Sequence, residues 1–161
     1  MTRRAMAGAL IAAIGVYAPA AMTHGDKRQR IDYSQAEEKP FGRASDPNKA
    51  NRTIRIDMSD RMRYSPGEIA VRRSDTLRFI VSNSGKQMHE LVLGTMQELK
   101  EHAALMRKHP GMEHDEPWMA HVAPGKTVEL GWQFTKAGTY YYGCLIPGHF
   151  EAGMIGKVIV K

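Results

Sequence analysis

Several features that decide a protein's class are scarce or missing in this chain. It has one cysteine among 161 residues, so no disulfide can form within it. The apolar run at residues 5–16 is too short for a comfortable membrane span. No dense stripe of Lys and Arg with interleaved aromatic residues is present, which argues against nucleic-acid binding. There is no internal repeat or low-complexity tract, and the length suits one ordinary domain with extensions.

The N-terminus has the features of a secretory signal peptide. Arg3 and Arg4 form a short positive region before the apolar run, and residues 18–20 (APA) are the small residues that a signal peptidase needs. We therefore expect residues 1–20 to be removed, leaving a periplasmic protein without stable membrane insertion. A retained membrane anchor is the alternative. Removing two arginines and no acids takes the formal net charge from +6 to +4, which suits an acidic partner.

From Thr53 onward, short runs alternate between apolar and polar residues, as half-buried strands do. Turn signals such as residues 65–67 (SPG) separate the runs. Seven runs follow this rhythm, at residues 53–58, 68–72, 76–81, 88–93, 127–134, 138–142 and 155–160. The pattern predicts an all-β domain at residues 53–161, an antiparallel β-sandwich.

Two segments depart from the strand pattern. Residues 21–52 are polar and mixed in charge, which predicts a flexible N-terminal arm; an edge strand or helix packed on the domain is the alternative. Residues 95–108 carry apolar side chains at helical spacing and are followed by Pro110. We therefore expect one helix and an irregular loop, inserted between two strands at about residues 95–122.

A thiol, an imidazole and a thioether lie close together near the C-terminus. Four residues separate Cys144 from His149, and four separate His149 from Met154. A Cys and two His with a distant Met form the ligand set of electron-transfer copper sites. His89 is well placed to be the second histidine, because strand ends of a sandwich gather at one pole. A lone Cys144 could instead be a small buried residue, and zinc could use some of these ligands, although Met is a poor zinc ligand.

With these residues in view, the chain from 53 to 161 resembles the cupredoxins, the family of plastocyanin, azurin and pseudoazurin. The shared features are an early Pro-Gly turn, an isolated His after the third strand, residues 138–144 (GTYYYGC) and a terminal strand that begins at Met154. The resemblance implies a Greek-key sandwich and one type 1 copper ion bound by His89, Cys144, His149 and Met154. Residues 138–157 are especially similar to cupredoxins linked to bacterial copper tolerance.

Two departures from the family pattern concern the tuning of the site. Many cupredoxins have an Asn after the first His, which ties the two ligand loops together by hydrogen bonds; here that residue is Glu90. The segment from Cys144 to Met154 is also longer than the plastocyanin and azurin loops. Contacts around the ligands tune a metal site, so both departures bear on its potential and rigidity.

The insert is rich in side chains that bind copper. Its methionines and histidines are Met96, His102, Met106, His109, Met112, His114, Met119 and His121. Soft thioethers and imidazoles suit capture of copper(I) or copper(II), and His109, Met112 and His114 are the first candidates for a second site. The alternative is that Met96 and Met106 pack as the apolar face of the helix and the histidines are solvated.

The sequence thus supports two functions. The first is electron carriage to or from a redox partner protein by Cu(I)/Cu(II) cycling, in a copper-tolerance setting. The second is copper sequestration or delivery that uses the insert as a second metal site. We do not expect an enzyme, because multicopper oxidases and copper nitrite reductases need further domains and more histidine ligands than this chain has.

Overall fold

The structure is a computed structural model that describes residues 31–110 and 115–161. In these residues ten strands form two sheets of five. The strands are β1 (Arg43–Ala44), β2 (Arg52–Ser59), β3 (Arg63–Ser65), β4 (Glu68–Val71), β5 (Thr76–Asn83), β6 (His89–Gly94), β7 (Met119–Val122), β8 (Thr127–Gln133), β9 (Gly138–Gly143) and β10 (Ile155–Val160).

The two sheets pack face to face, which confirms the predicted β-sandwich. The strand order is β1-β8-β5-β2-β3 in one sheet and β4-β10-β9-β6-β7 in the other. Most neighbours are antiparallel, as expected, but β2 runs parallel to β5 and β4 runs parallel to β10. Strand β5 shows the expected alternation, with every second side chain buried. Its buried Leu77, Phe79 and Val81 meet Tyr142 and Val158 of the other sheet in the main core.

All seven predicted runs are strands, and three further strands were not predicted. Strands β1, β3 and β7 contain two, three and four residues. Such short strands leave too few positions for a period of two to be recognised. Strand β6 was predicted, although all six of its residues are buried. It begins at His89, one of the predicted ligands.

The prediction of a flexible arm is wrong for the part of it that the structure describes. The buried Phe41 stacks on Trp132, and its carbonyl accepts a hydrogen bond from the Trp132 indole at 3.0 Å. Strand β1 then pairs with β8. The described segment therefore packs as an edge strand, the alternative for this part of the chain, and the bond from Arg43 to the Gln133 side chain also holds it there. Residues 21–30 of the arm and the predicted signal peptide, residues 1–20, lie outside the described residues.

The predicted helix is present as α1 (Met96–Lys108). Thr95 caps it, with its hydroxyl accepting from the Glu98 N–H while the Glu98 carboxylate accepts from the Thr95 N–H. Its buried face packs with β6 and the segment after β9, through Leu99, Ala103, Met106, Val92, Met119 and Leu145. In the described ranges, no helix is long and apolar enough to cross a membrane.

Candidate metal centre

Three of the four predicted ligands converge at one end of the sandwich. His89 is the first residue of β6, Cys144 directly follows β9, and His149 lies in the loop between β9 and β10. Their ligand atoms all lie within 4.8 Å of one another. Cys144 Sγ is 3.3 Å from His149 Nδ1, and the two imidazole rings are 5.0 Å apart. His89 and Cys144 are fully buried, whereas His149 is half-buried.

Backbone hydrogen bonds give the loop between β9 and β10 a fixed shape. The Cys144 N–H donates to the Met154 carbonyl at 3.1 Å, and the Met154 N–H donates to the His149 carbonyl at 3.0 Å. The His149 N–H in turn donates to Ile146 at 3.0 Å. Met154 is fully buried at the end of this loop. The structure therefore places Met154 beside the other three through the backbone, and ligation by its thioether stays a prediction.

The orientation of His89 leaves one ring nitrogen available for a metal. Its Nε2 lies 3.1 Å from the Asp60 Oδ1 carboxylate oxygen. Its Nδ1 is buried and has no hydrogen-bond partner within the described part of the chain. A buried polar atom without a partner is costly, so its presence calls for a ligand. The free Nδ1, together with the thiol and the second imidazole, fits a soft transition metal such as copper.

Two of the predicted ligands, Cys144 and His149, have shifted pKa values that determine their protonation before metal binds. Burial raises the pKa of the Cys144 thiol to about 12, so the thiol keeps its proton in the metal-free protein. The pKa of His149 is lowered, mainly by burial and to a smaller extent by the nearby His89, so its imidazole is neutral at neutral pH. A metal ligand must be deprotonated, and copper binding would therefore release the thiol proton.

Glu90 ties the two ligand segments together, as the family's Asn does. Its carboxylate Oε1 accepts a hydrogen bond from the Leu145 N–H at 2.7 Å, next to Cys144, and its backbone carbonyl accepts from the Tyr64 hydroxyl. The other carboxylate oxygen lies 3.0 Å from His121 Nε2. The link that was in doubt from the sequence is thus present, with a buried carboxylate in place of an amide.

His121, which is half-buried, bonds to the buried Glu90. Its Nδ1 lies 3.3 Å from Asp115, and the bond to Glu90 and, less strongly, the interaction with Asp115 raise its pKa above the ordinary value. No local pattern in the sequence indicates this role, because Glu90 and His121 are brought opposite each other only by the pairing of β6 with β7.

Two arginines from outside the loop hold its outer half. The Arg63 guanidinium, from β3, donates to the Ala152 carbonyl at 2.9 Å. The Arg107 guanidinium, from α1, forms an ion pair with Glu151, whose other carboxylate oxygen accepts from the Gly148 N–H at 3.1 Å. The inserted helix therefore supports the loop that carries His149.

The methionines and histidines of the insert lie in different environments. Met106 is buried on the inner face of α1, as the packing alternative predicts, whereas Met96 of the same helix is only partly buried. Met119 is a core residue of β7. His121 is paired with two carboxylates, and His109 is exposed at the C-terminal end of α1. The other two candidates for a second site, Met112 and His114, lie outside the described residues.

The sandwich and its cluster of one thiol and two imidazoles define a copper-binding protein of the cupredoxin class. The family model described as copper binding proteins, plastocyanin/azurin family, matches residues 50–161. The chain belongs to this family, as its resemblance in sequence had indicated.

Relatives and solved structures agree with this assignment. The chain is 54% identical to the copper-resistant cuproprotein CopI of Rubrivivax gelatinosus over 122 residues, which are 76% of this chain and 74% of the relative. It is 32% identical to CopI of Pseudomonas aeruginosa, covering 80% of this chain and 86% of the relative. Auracyanin from Roseiflexus castenholzii shares the fold with a TM-score of 0.60 at 21% identity, covering 70% of this chain and 98% of that one.

Proposed function

We propose that this protein is a periplasmic type 1 copper protein that carries electrons in a copper-tolerance setting, with His89, Cys144, His149 and Met154 as ligands. The observation that carries the proposal is the convergence of two imidazoles and one thiol around a buried, unpartnered His89 Nδ1. Bound copper would supply the one-electron Cu(II)/Cu(I) couple.

The bracing of the ligands supports electron carriage. An electron carrier works best when its ligands move little between oxidation states. Here the ligand loop is fixed by its own backbone hydrogen bonds, by Glu90, and by Arg63 and Arg107. Glu90, Arg63 and Arg107 lie on β6, β3 and α1, so that the loop is held from three different elements.

The surface around His149 suits contact with a redox partner protein. Pro147 is exposed and Ile146 half-buried beside it, and Met88, next to His89, is 46% exposed. Phe150, the residue after His149, packs partly against the buried cluster under α1 instead. An exposed apolar surface at the edge of a site is a suitable docking region.

A matched pair of variants tests this carrier function. Met88→Lys places a positive charge next to His89. Leu105→Lys places the same charge on α1, at an apolar residue of similar exposure (44%). Electron self-exchange can be measured by NMR line broadening in mixtures of oxidised and reduced protein. We expect Met88→Lys to slow exchange more than Leu105→Lys, with the visible spectrum unchanged. Equal rates in both variants, or no reversible redox cycle in the wild type, would contradict electron carriage through this surface.

The copper-tolerance setting is supported by the two relatives named as copper-resistant cuproproteins. Sequestration or delivery of copper through the insert is the second candidate function, and the exposed His109 favours it. Replacing His109, Met112 and His114 by Ala separates the two functions. A carrier keeps about one copper per chain and its colour after the replacement, whereas a sequestering protein starts above one and falls to one.

We further propose that the protein is not an enzyme and that it binds no nucleic acid. The proposed location in the periplasm rests on the signal-like residues 1–20, and intact mass of periplasmic material tests it. Mature protein that still carries residues 1–20 in the membrane fraction would contradict this location.

A further inference from the structure

Asp60, the first residue after β2, contacts Nε2 of the proposed ligand His89, the ring nitrogen opposite the unpartnered Nδ1. Its Oδ1 lies 3.1 Å from His89 Nε2, and the carboxylate also accepts from the Lys86 N–H at 2.8 Å and the Gln87 N–H at 3.2 Å. We propose that Asp60 is a positioning residue that fixes the tautomer of His89 and lowers the reduction potential of the copper site. This inference rests on the proposed role of His89 as a copper ligand.

The tautomer follows from the chemistry of the two groups. A neutral imidazole has one N–H, and an ionised carboxylate can only accept hydrogen bonds. A carboxyl group is ionised at neutral pH, and the Asp60 carboxylate also accepts from the Lys86 and Gln87 N–H groups. The His89 proton must then be on Nε2, and the Nδ1 lone pair is free. The buried, unpartnered Nδ1 is the atom that this tautomer would offer to a metal.

The effect on the potential follows from charge. A carboxylate bonded to the far nitrogen of a ligand imidazole makes that imidazole more basic. A more basic ligand stabilises Cu(II), the more highly charged state, more than Cu(I). The carboxylate of Asp60 is about one-third exposed (33%), so solvent screens its charge only in part. The described structure therefore indicates a lower potential than the same ligands would have without Asp60.

Gly85 shows independently that the fold reserves space for this carboxylate. A Cβ atom at Gly85 would lie 2.1 Å from Asp60 Oδ1 and 2.8 Å from its Cγ. Any larger residue at this position would push the carboxylate away from His89. Glycine is thus required here by the close approach of Asp60.

Two variants test the proposal in the copper-loaded protein. Asp60→Asn keeps an oxygen that can accept from Nε2 but removes the charge, and Gly85→Ala displaces the carboxylate without changing it. We expect both to favour Cu(I) relative to Cu(II) by at least tenfold, which is a rise of about 59 mV in potential for a one-electron couple. The metal-free wild type should carry the His89 proton on Nε2, as read from imidazole 15N chemical shifts.

Asn83→Ala is the matched control. The Asn83 side chain supports the same loop, accepting from the Gly85 N–H at 2.9 Å and donating to the Gln87 carbonyl at 2.8 Å, and it has no bond to His89. Asn83→Ala removes these bonds and a bond to the Val122 carbonyl but leaves the Asp60 carboxylate in place, so the equilibrium between Cu(II) and Cu(I) should stay within threefold of wild type. A shift below tenfold in Asp60→Asn, or an equal shift in Asn83→Ala, would overturn the proposal.

The outcomes for Asp60 and for the copper site are distinguishable. A wild type that binds copper without an intense visible band contradicts the proposed function. A coloured wild type whose potential does not respond to Asp60→Asn contradicts only the role of Asp60. A metal-free protein with the His89 proton on Nδ1 also overturns that role, without reference to copper.

Discussion

Glu90 is the buried carboxylate that joins the two ligand segments, and its removal should destabilise the metal-free protein. The residue is 2% exposed, and its carboxylate accepts from the Leu145 N–H at 2.7 Å. A hydrogen bond to a charged group contributes about 1.5–3 kcal/mol, and an unpaired buried N–H costs about 1–3 kcal/mol. These contributions overlap, so we expect Glu90→Ala to lower the free energy of unfolding by about 3 kcal/mol. Glu90→Gln keeps an accepting oxygen and should cost about 1 kcal/mol.

Urea unfolding of the metal-free protein at neutral pH measures this difference, provided that the slope with denaturant is unchanged. Glu68→Ala is a suitable control, because it breaks an exposed ion pair with Lys157 of 2.9 Å, and such surface pairs contribute little to stability. The copper affinity of Glu90→Ala should also fall by about 10- to 100-fold, as for other residues that support ligands. The reasoning is refuted if Glu90→Ala is no more destabilising than Glu68→Ala.

Three further predictions concern other parts of the structure. Because the pKa of His121 is raised, its bonds to Glu90 and Asp115 stabilise the fold below the ordinary histidine pKa of about 6.5, and this stabilisation is lost as pH rises through the pKa of the folded protein. His121→Gln should therefore lower the free energy of unfolding more at about pH 6 than at about pH 9. A destabilisation that grows with pH would contradict the pairing. Met154→Leu should keep the visible band and raise the potential, because the thioether donor is lost; an unchanged potential would remove Met154 from the ligand set. Gly156→Ala places a Cβ 2.0 Å from a Tyr142 ring carbon and should destabilise the fold by about 3 kcal/mol in the same unfolding assay, whereas wild-type stability would show that the ring is free to move.

The ligand loop could be predicted from the sequence because its chemistry is local. Cys144, His149 and Met154 share one connection between two strands, and their spacing alone indicates a soft metal site. The sandwich was predictable for a similar reason, since alternation along strands such as β5 depends only on neighbouring positions.

The residues around the ligands could not be predicted, because they are brought together by the fold. Asp60 is 29 positions from His89, and Glu90 is 55 positions from Leu145. Their contacts depend on which strands are neighbours and in which register, and no local pattern specifies that. The packed arm was missed for the same reason, because Phe41 finds Trp132 at a distance of 91 positions.

The central claim, that His89, Cys144 and His149 form a type 1 copper site, is tested most directly by the visible spectrum measured together with the copper-to-protein ratio. Copper(II) bound by the Cys144 thiolate would have an intense thiolate-to-copper charge-transfer band. We predict one copper per chain at this site with a strong visible band in the wild type, and no band in Cys144→Ser. A wild type that binds copper(II) and stays colourless would contradict the claim.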